Sequence, residues 1–428
     1  MKNIIYPKKE TWFEILKRPT QTVKEIETTV NQVFEDVQKN GDTAIKKYTK
    51  KFDKVAVTTL KVTQEEISIA VEAVSSELKK AIQQAAANIE KFHRAQKTEK
   101  IYQETTPGVV CWQEKRPIEK VGLYIPGGTA PLLSTVLMLA IPAKIAGCQE
   151  IILCSPPNFE GKIANEILYT ANLCGVTNIF KVGGIQAISG LTFGTTTIPK
   201  VYKIFGPGNQ FVTVAKQLAT KYGVAIDMPA GPSELLIMAD DSANASFVAS
   251  DLLSQAEHGA DSQVILVSTS EKLIEDVSKE VAKQLKELPR IEIATKAIQN
   301  SKSILVNDFK EALALINEYA PEHFIVCTNN NDFFIDGIFN AGSVFIGNYT
   351  PESAGDYASG TNHTLPTNGY SKSYSGVNLD SFTKSITFQE ISKKGIQNIG
   401  KSIELMALAE GLQAHKNAVS IRLKEINS

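Results

Sequence analysis

Four short segments of this chain bring histidine together with acid or amide side chains. In Leu252–Gly259, Gln255 and His258 stand three residues apart, a spacing that puts both on one face of a helix. Amide oxygen and imidazole nitrogen are both competent metal ligands. A lone histidine at a helix end is as much at home in a core or on a surface, so the pair needs company. Ala320-Pro321-Glu322-His323-Phe324 joins a carboxylate directly to an imidazole. Histidine titrates near neutrality and serves as a general base, and a carboxylate beside it can activate water. The plain alternative is a loop ion pair. Gly355-Asp356-Tyr357 through Asn362-His363 adds a glycine-rich loop with an acid and an imidazole, and Glu410 through His415 adds one more of each. Four of the five histidines thus fall in segments dense in Asp, Glu, Gln and Gly. Together they read as a metal site with an acid–base pair.

The elements that must position these groups are legible in the hydrophobic pattern. Asn244 can cap a helix in which Val248, Leu252 and Ala256 repeat every fourth residue and Gly259 stops the run. Glu322-His323 stands just before the strand-like Phe324–Cys327. From Lys120 onward, short apolar runs near 121–125, 151–154, 178–182 and 201–205 alternate with helical stretches, among them 134–146 and 163–174. Glycine-containing loops follow these runs at Pro126-Gly127-Gly128, Gly183-Gly184 and Gly206-Pro207-Gly208-Asn209. The alternation predicts parallel sheets covered by helices, and loops at strand C-terminal ends are where such sheets bind ligands. No complete Gly-x-Gly-x-x-Gly is present, so the glycines alone say little about nucleotides. A second α/β run covers 235–238, 264–267, 304–306, 324–327 and 344–346, and the last fifty or so residues read as mainly helical.

Upstream, residues to about 20 form a polar arm. Thr22-Val23-Lys24-Glu25 and Thr63-Gln64-Glu65-Glu66 are capping boxes. The second opens a helical stretch to about Gln96 that carries His93, for which the neighbourhood offers no ligand-type partner and a structural role is expected. Around Cys111–Arg116 the pattern becomes extended.

Composition excludes several classes of function. Lys and Arg (45) nearly cancel Asp and Glu (46), leaving no basic field for nucleic acid or anionic lipid. The first residues lack the apolar core of a signal peptide. The longest apolar run, Val136–Ala143, contains Pro142 and is too short to span a bilayer. Five scattered cysteines without a Cys-x-x-Cys pair fit a reduced, cytoplasmic protein with buried thiols; a nucleophilic cysteine stays open, Cys327 being close after His323.

Taken in order, these motifs make the chain resemble the histidinol dehydrogenases. The resemblance is carried by Gly122 through Gly128, Gly183-Gly184-Ile185-Gln186-Ala187-Ile188, Gly206-Pro207-Gly208-Asn209, Ala230-Gly231-Pro232-Ser233-Glu234, Ser254 through Gly259, Pro321-Glu322-His323, Gly355 through His363, and Glu410-Gly411-Leu412 with His415. Phe324 stands where the family commonly has leucine, and Asn158–Lys162 looks like a loop insertion away from the motifs. The resemblance implies a zinc-dependent, four-electron oxidation of L-histidinol to L-histidine through a bound aldehyde, using two NAD⁺ in turn. It implies that Gln255, His258, Asp356 and His415 hold one zinc ion, a set that bottom-up also suits manganese or cobalt. His323 would move protons and Glu322 would activate water. Ser233, His363 and Glu410 would join His323 and the metal-holding residues around the substrate, and Tyr124, Gln186 and Asn209 would meet NAD.

The implied architecture is α/β: two incomplete Rossmann-like domains with parallel sheets, a short N-terminal arm and a small helical C-terminal domain. The expected bounds are 1–21 for the arm, 22–125 with 232–377 for a discontinuous domain carrying the metal and acid–base residues, 126–231 for the NAD-binding domain, and 378–428 for the helical domain. The last would complete the active site of the partner subunit in a homodimer. Two other readings compete. A paralogous dehydrogenase acting on another small alcohol, such as a sulfonated diol, would alter the imidazole-gripping positions Gln255, Glu410 and His415. A zinc hydrolase would have no use for nicotinamide.

Overall fold

The apolar runs become two parallel sheets. The computed structural model describes residues 1–19, 23–127, 131–229 and 231–428, with the side chains of 23–25 left aside. The capping box at Thr22, together with Gly128 and Ala230, therefore lies outside the described residues. One unit comprises Met1–Gln96 and Ile118–Phe382. Its six-stranded sheet runs in the order Lys2–Ile5, Lys302–Leu305, Gln263–Ser268, Glu234–Ala239, His323–Cys327, Ser343–Ile346. Its five-stranded sheet runs Asn178–Lys181, Glu150–Ser155, Lys120–Tyr124, Lys203–Phe205, Ala225–Ile226. Every pairing in both is parallel.

Strand residues alternate between two covered faces, which is why these runs are apolar without a polar partner set. Leu235 and Ile237 pack with the helix Ala245–Ala256, whereas Leu236 and Met238 pack with Trp12 and the helix Phe309–Tyr319. In the other sheet Val121 and Leu123 meet the helices Gln64–Ala73, Ser76–Ala95, Leu133–Ala146 and Asn165–Cys174, and Tyr124 faces Val23–Tyr48 and Gly184–Phe193. The apolar run at 136–143 is thus an enclosed helix, with Pro142 inside it. Among the described residues no helix is long and apolar enough to cross a membrane.

Several boundaries differ from expectation. The Thr63–Glu66 capping box forms, but the helix it opens ends at Ala73, and Ser75 caps a second one. Lys2–Ile5 is not merely an arm: it adds an edge strand beside Lys302–Leu305. Residues 26–95 pack on the five-stranded sheet, of which 120–124 is the middle strand, because their apolar faces match that sheet's two surfaces; Ser76–Ala95 also meets residues 358–362 through Asn88 and His93. The second unit, Lys97–Pro117 with Thr383–Ser428, is not helical alone. Thr383–Ile391 pairs antiparallel with Val109–Pro117, which pairs with Ile101–Thr106, and the helices Lys393–Ala409 and Gln413–Ile426 pack on each other.

Candidate active site

Both sheets contribute to the site, from opposite strand ends. In the five-stranded sheet the chain moves outward from Lys120–Tyr124 in one direction and returns to its other side at Lys203–Phe205. That makes the C-terminal end of these two strands a topological switch point, where open α/β sheets bind ligands. A cavity of about 700 Å³ lies there, lined by Asp53, Tyr124, Gly127, Gly184, Asn209 and other residues. Backbone approaches closely: a Cβ on Gly206, at φ 126°, would meet the Tyr124 carbonyl oxygen at 2.0 Å. Tyr124 and Asn209, expected to meet NAD, both line this cavity, and the Asn209 side chain caps the helix Gln210–Lys221. Gln186 is fully buried and reaches the cavity through Asp53, to whose Oδ2 it donates at 3.0 Å. Burial pushes the Asp53 carboxyl up to about 6. Asn158–Lys162, expected away from the motifs, supplies part of the cavity rim through Asn158, Phe159 and Lys162.

The residues expected to act as acid and base instead stand at the N-terminal ends of the six-stranded sheet. Glu234 opens one strand and His323 opens its neighbour, with Glu322 immediately before it. The Glu234 backbone N–H donates to Glu322 Oε2 at 2.8 Å, and the Glu234 carbonyl lies 3.1 Å from His323 Nδ1. A carbonyl can only accept, so Nδ1 carries a proton in either charge state and Nε2 is the nitrogen that becomes basic when the ring is neutral. His323 Nε2 is buried, has no hydrogen-bond partner among the described residues, and lies 3.6 Å from Asp356 Oδ1. His363 is oriented in the same way: Nδ1 faces the Asp356 carbonyl at 3.1 Å and Nε2 faces Thr135 Oγ1 at 3.1 Å. A small crevice of about 100 Å³ is shared by Gly206 and Gly208 of the first sheet's loop and by Ser233, Glu322 and His363. The two strand ends therefore meet at one place.

Three carboxylates surround the buried His323 imidazole. Glu322 and Glu352 lie 3.6 and 3.8 Å from His323 Nδ1. The ligand-type atoms of His323, Glu352 and Asp356 all lie within 4.8 Å of one another. Burial pushes both Glu322 and Glu352 up to about 8. Burial alone would lower His323, but Glu352, Glu322 and Asp356 hold it well above its ordinary value. Asp356 goes the other way: burial opposes its charge, yet His323, with His363 and His258, keeps it below the usual carboxylate range. Such divergent carboxyls in one site separate proton carriers from permanently charged groups.

Of the residues expected to hold metal, Asp356 lies in this cluster. Gln255 is fully buried at the end of its helix; oriented to suit its neighbours, its amide nitrogen donates to Glu352 and its oxygen accepts from the Glu234 N–H at 3.1 Å. The helix ends at Ala256, before Gly259, and His258 is exposed in the following turn. Glu410 and His415 are exposed in the second unit, one capping the helix Lys393–Ala409 and the other in Gln413–Ile426. Glu352 was not anticipated. Its signal was its place four residues before Asp356, which puts both on one face of the helix Glu352–Tyr357. The donor set is oxygen and nitrogen, with three carboxyl groups gathered around one imidazole, which fits a divalent cation.

His93 is structural: it is fully buried, with Nδ1 against the Ile89 carbonyl at 2.8 Å and Nε2 against Asn362 at 3.3 Å. Burial pushes the Cys327 thiol up to about 12, the opposite of an activated nucleophile.

Comparison with known proteins agrees with this architecture. The family model described as histidinol dehydrogenase matches residues 16–423. A histidinol dehydrogenase of Bacteroides thetaiotaomicron is 59% identical over 426 residues, covering all of both chains. One of Escherichia coli K12 is 53% identical over 416 residues, covering 96% of this chain and 95% of its own. The crystal structure of histidinol dehydrogenase from Elizabethkingia anophelis superposes with a TM-score of 0.98 at 58% identity, covering 100% of this chain and 99% of that one. With the motifs and both sheets in agreement, the chain belongs to the histidinol dehydrogenase family of oxidoreductases.

Proposed function

We propose that the protein oxidises L-histidinol to L-histidine in histidine biosynthesis, by two successive two-electron steps with the aldehyde kept bound between them. The observation that carries the acid–base assignment is the buried His323 Nε2, which has its tautomer set from behind by the Glu234 carbonyl and no hydrogen-bond partner among the described residues. That atom takes the alcohol proton in the first oxidation and the hydrate proton in the second. Glu322, on the same crevice and held through Oε2 by the Glu234 N–H, removes a proton from the water that adds to the aldehyde. Ser233 and His363 line or border that crevice and grip the substrate.

NAD⁺ bound in the large cavity would supply a hydride acceptor for each step, with Tyr124, Asn209 and the Gln186–Asp53 pair around it. Zinc held by Gln255, His258, Asp356 and His415 would orient the substrate imidazole and amino group and offset the buried carboxylates. In this reading the protein is a homodimer, and Glu410 and His415 serve the partner's site.

The test is NADH formation from purified protein, L-histidinol and NAD⁺, before and after chelation and zinc return. Two NADH per histidinol, lost on chelation and regained with zinc, supports the whole reading. One NADH per substrate means that the aldehyde escapes. None, followed by turnover of another small alcohol, replaces the substrate.

A further inference from the structure

Glu234 holds both members of the acid–base pair, yet it does so entirely through its backbone, N–H to Glu322 and carbonyl to His323. Its side chain points elsewhere. The buried Glu234 carboxylate receives a two-pronged pair from Arg18, Nε to Oε1 at 2.5 Å and Nη2 to Oε2 at 2.8 Å, plus the Asn368 N–H at 2.7 Å. Arg18 Nη2 also donates to the Tyr319 carbonyl at 2.7 Å, and its guanidinium lies 4.0 Å over the Tyr319 ring. The Tyr319 hydroxyl is fixed in turn by Gln263 Oε1 at 3.0 Å.

Tyr319 ends a helix and leads through Ala320, at φ 54°, and Pro321 into Glu322. A left-handed alanine is strained and persists only where its surroundings hold it. Arg18 therefore ties together the start of the strand Glu234–Ala239 and the turn that delivers Glu322 and His323. Those two elements set the distances from the Glu234 backbone to both reacting groups. Charge neutralisation alone would need only an ammonium; the fork and the ring contact are features of a guanidinium.

We infer that Arg18, from the N-terminal segment, is a positioning residue for the Glu322–His323 pair. It acts through Glu234 and Tyr319 and touches neither substrate nor cofactor. The inference rests on Glu322 and His323 being the acid–base pair, so wild type and Glu322→Gln are assayed alongside; if Glu322→Gln turns over like wild type, that assignment fails whatever Arg18 does.

Arg18 also lines a groove of about 450 Å³ with Trp12, Leu16, Asn368 and Gly369, so a small ion can reach the position that its head occupies. The experiment is chemical rescue of Arg18→Ala in the full-length, zinc-loaded protein. Loss of alignment should lower kcat about 10- to 100-fold while KM for histidinol and NAD⁺ stays within about twofold. Guanidinium in the assay should restore kcat and methylammonium should not. Arg18→Lys, which keeps the charge and loses the fork, should show the same kcat loss and decides the matter if the alanine variant fails to fold. Wild-type kcat in either variant overturns the inference, as does a kcat loss in well-folded Arg18→Ala that guanidinium leaves unchanged.

Discussion

Glu322 and His323 are neighbours in the chain, and their carboxylate and imidazole lie 3.6 Å apart at the entrance of a strand. An extended backbone would turn adjacent side chains to opposite faces. They meet because only His323 is in the strand, while Glu322 still belongs to the turn after Ala320 and Pro321 and is held by the Glu234 N–H. The two groups are thus close enough to share one substrate but are bonded to different backbone groups of Glu234, Glu322 to its N–H and His323 to its carbonyl, which gives them separable roles.

Replacing either should slow turnover about 10²- to 10⁴-fold, but not at the same step. His323→Asn should impair both oxidations. Glu322→Gln should spare the first and impair the second, seen as one fast NADH followed by a slow one in single-turnover traces. Equal loss in both half-reactions would contradict the water-activating role.

The raised Glu322 carboxyl gives a pH dependence of definite sign. A water-activating carboxylate works only when ionised, and burial pushes this one up to about 8. The second oxidation should therefore accelerate as pH rises from about 6 to about 9, with the protonated form inactive below. Rates measured from histidinaldehyde check this; a flat profile over that range would remove Glu322 as the base.

Glu352 should matter although it was absent from the expected set. It accepts from the Gln255 amide and adds a third ligand-type oxygen or nitrogen to His323 and Asp356. Glu352→Gln should weaken zinc retention, and Asp356→Asn more so, since outer partners of a metal site typically contribute about 10- to 100-fold in affinity. Metal content after dialysis against a graded chelator gives the order. Unchanged retention in both variants would place the metal elsewhere.

The glycine at the switch point gives a stability contrast. Gly206→Ala forces a Cβ into the Tyr124 carbonyl, whereas at Gly223, also left-handed at φ 79°, nothing lies within 4 Å. Gly223→Ala should cost about 1–2 kcal/mol from backbone conformation alone. Gly206→Ala should cost more and weaken NAD⁺ binding as well. Denaturant unfolding and NAD⁺ titration of the pair test it, and equal unfolding costs would refute the close approach.

A shared active site makes a further demand. If His415 serves the partner subunit, Glu322→Gln and His415→Asn proteins are each nearly inactive, but a mixed dimer holds one intact site. Unfolding and refolding them together should recover activity that neither shows alone. No recovery from demonstrably mixed dimers would return His415 to its own subunit.

Much of this was legible along the chain. The strands at 121–125, 151–154, 235–238, 264–267 and 324–327 were marked by their apolar runs because parallel sheets covered on both faces leave no polar alternation to confuse the reading. The ordered motifs named the family, since backbone approach at Gly206 and the Glu322-His323 turn are local demands met by local residue types. Hydrophobic pattern could not show which sheet residues 26–95 cover, because an apolar helical face fits either sheet until volume and shape choose. Nor could it show the edge strand Lys2–Ile5, whose pairing depends on backbone hydrogen bonds rather than side chains. The same holds at the site. Residue types announced Glu322, His323 and Asp356, and the spacing to Asp356 could have pointed to Glu352, but Arg18 and the backbone of Glu234 enter only through long-range contacts. Electrostatics and hydrogen bonding act through space, so which carboxyls are raised, which is depressed, and which nitrogen of His323 is basic were decided by the tertiary structure alone.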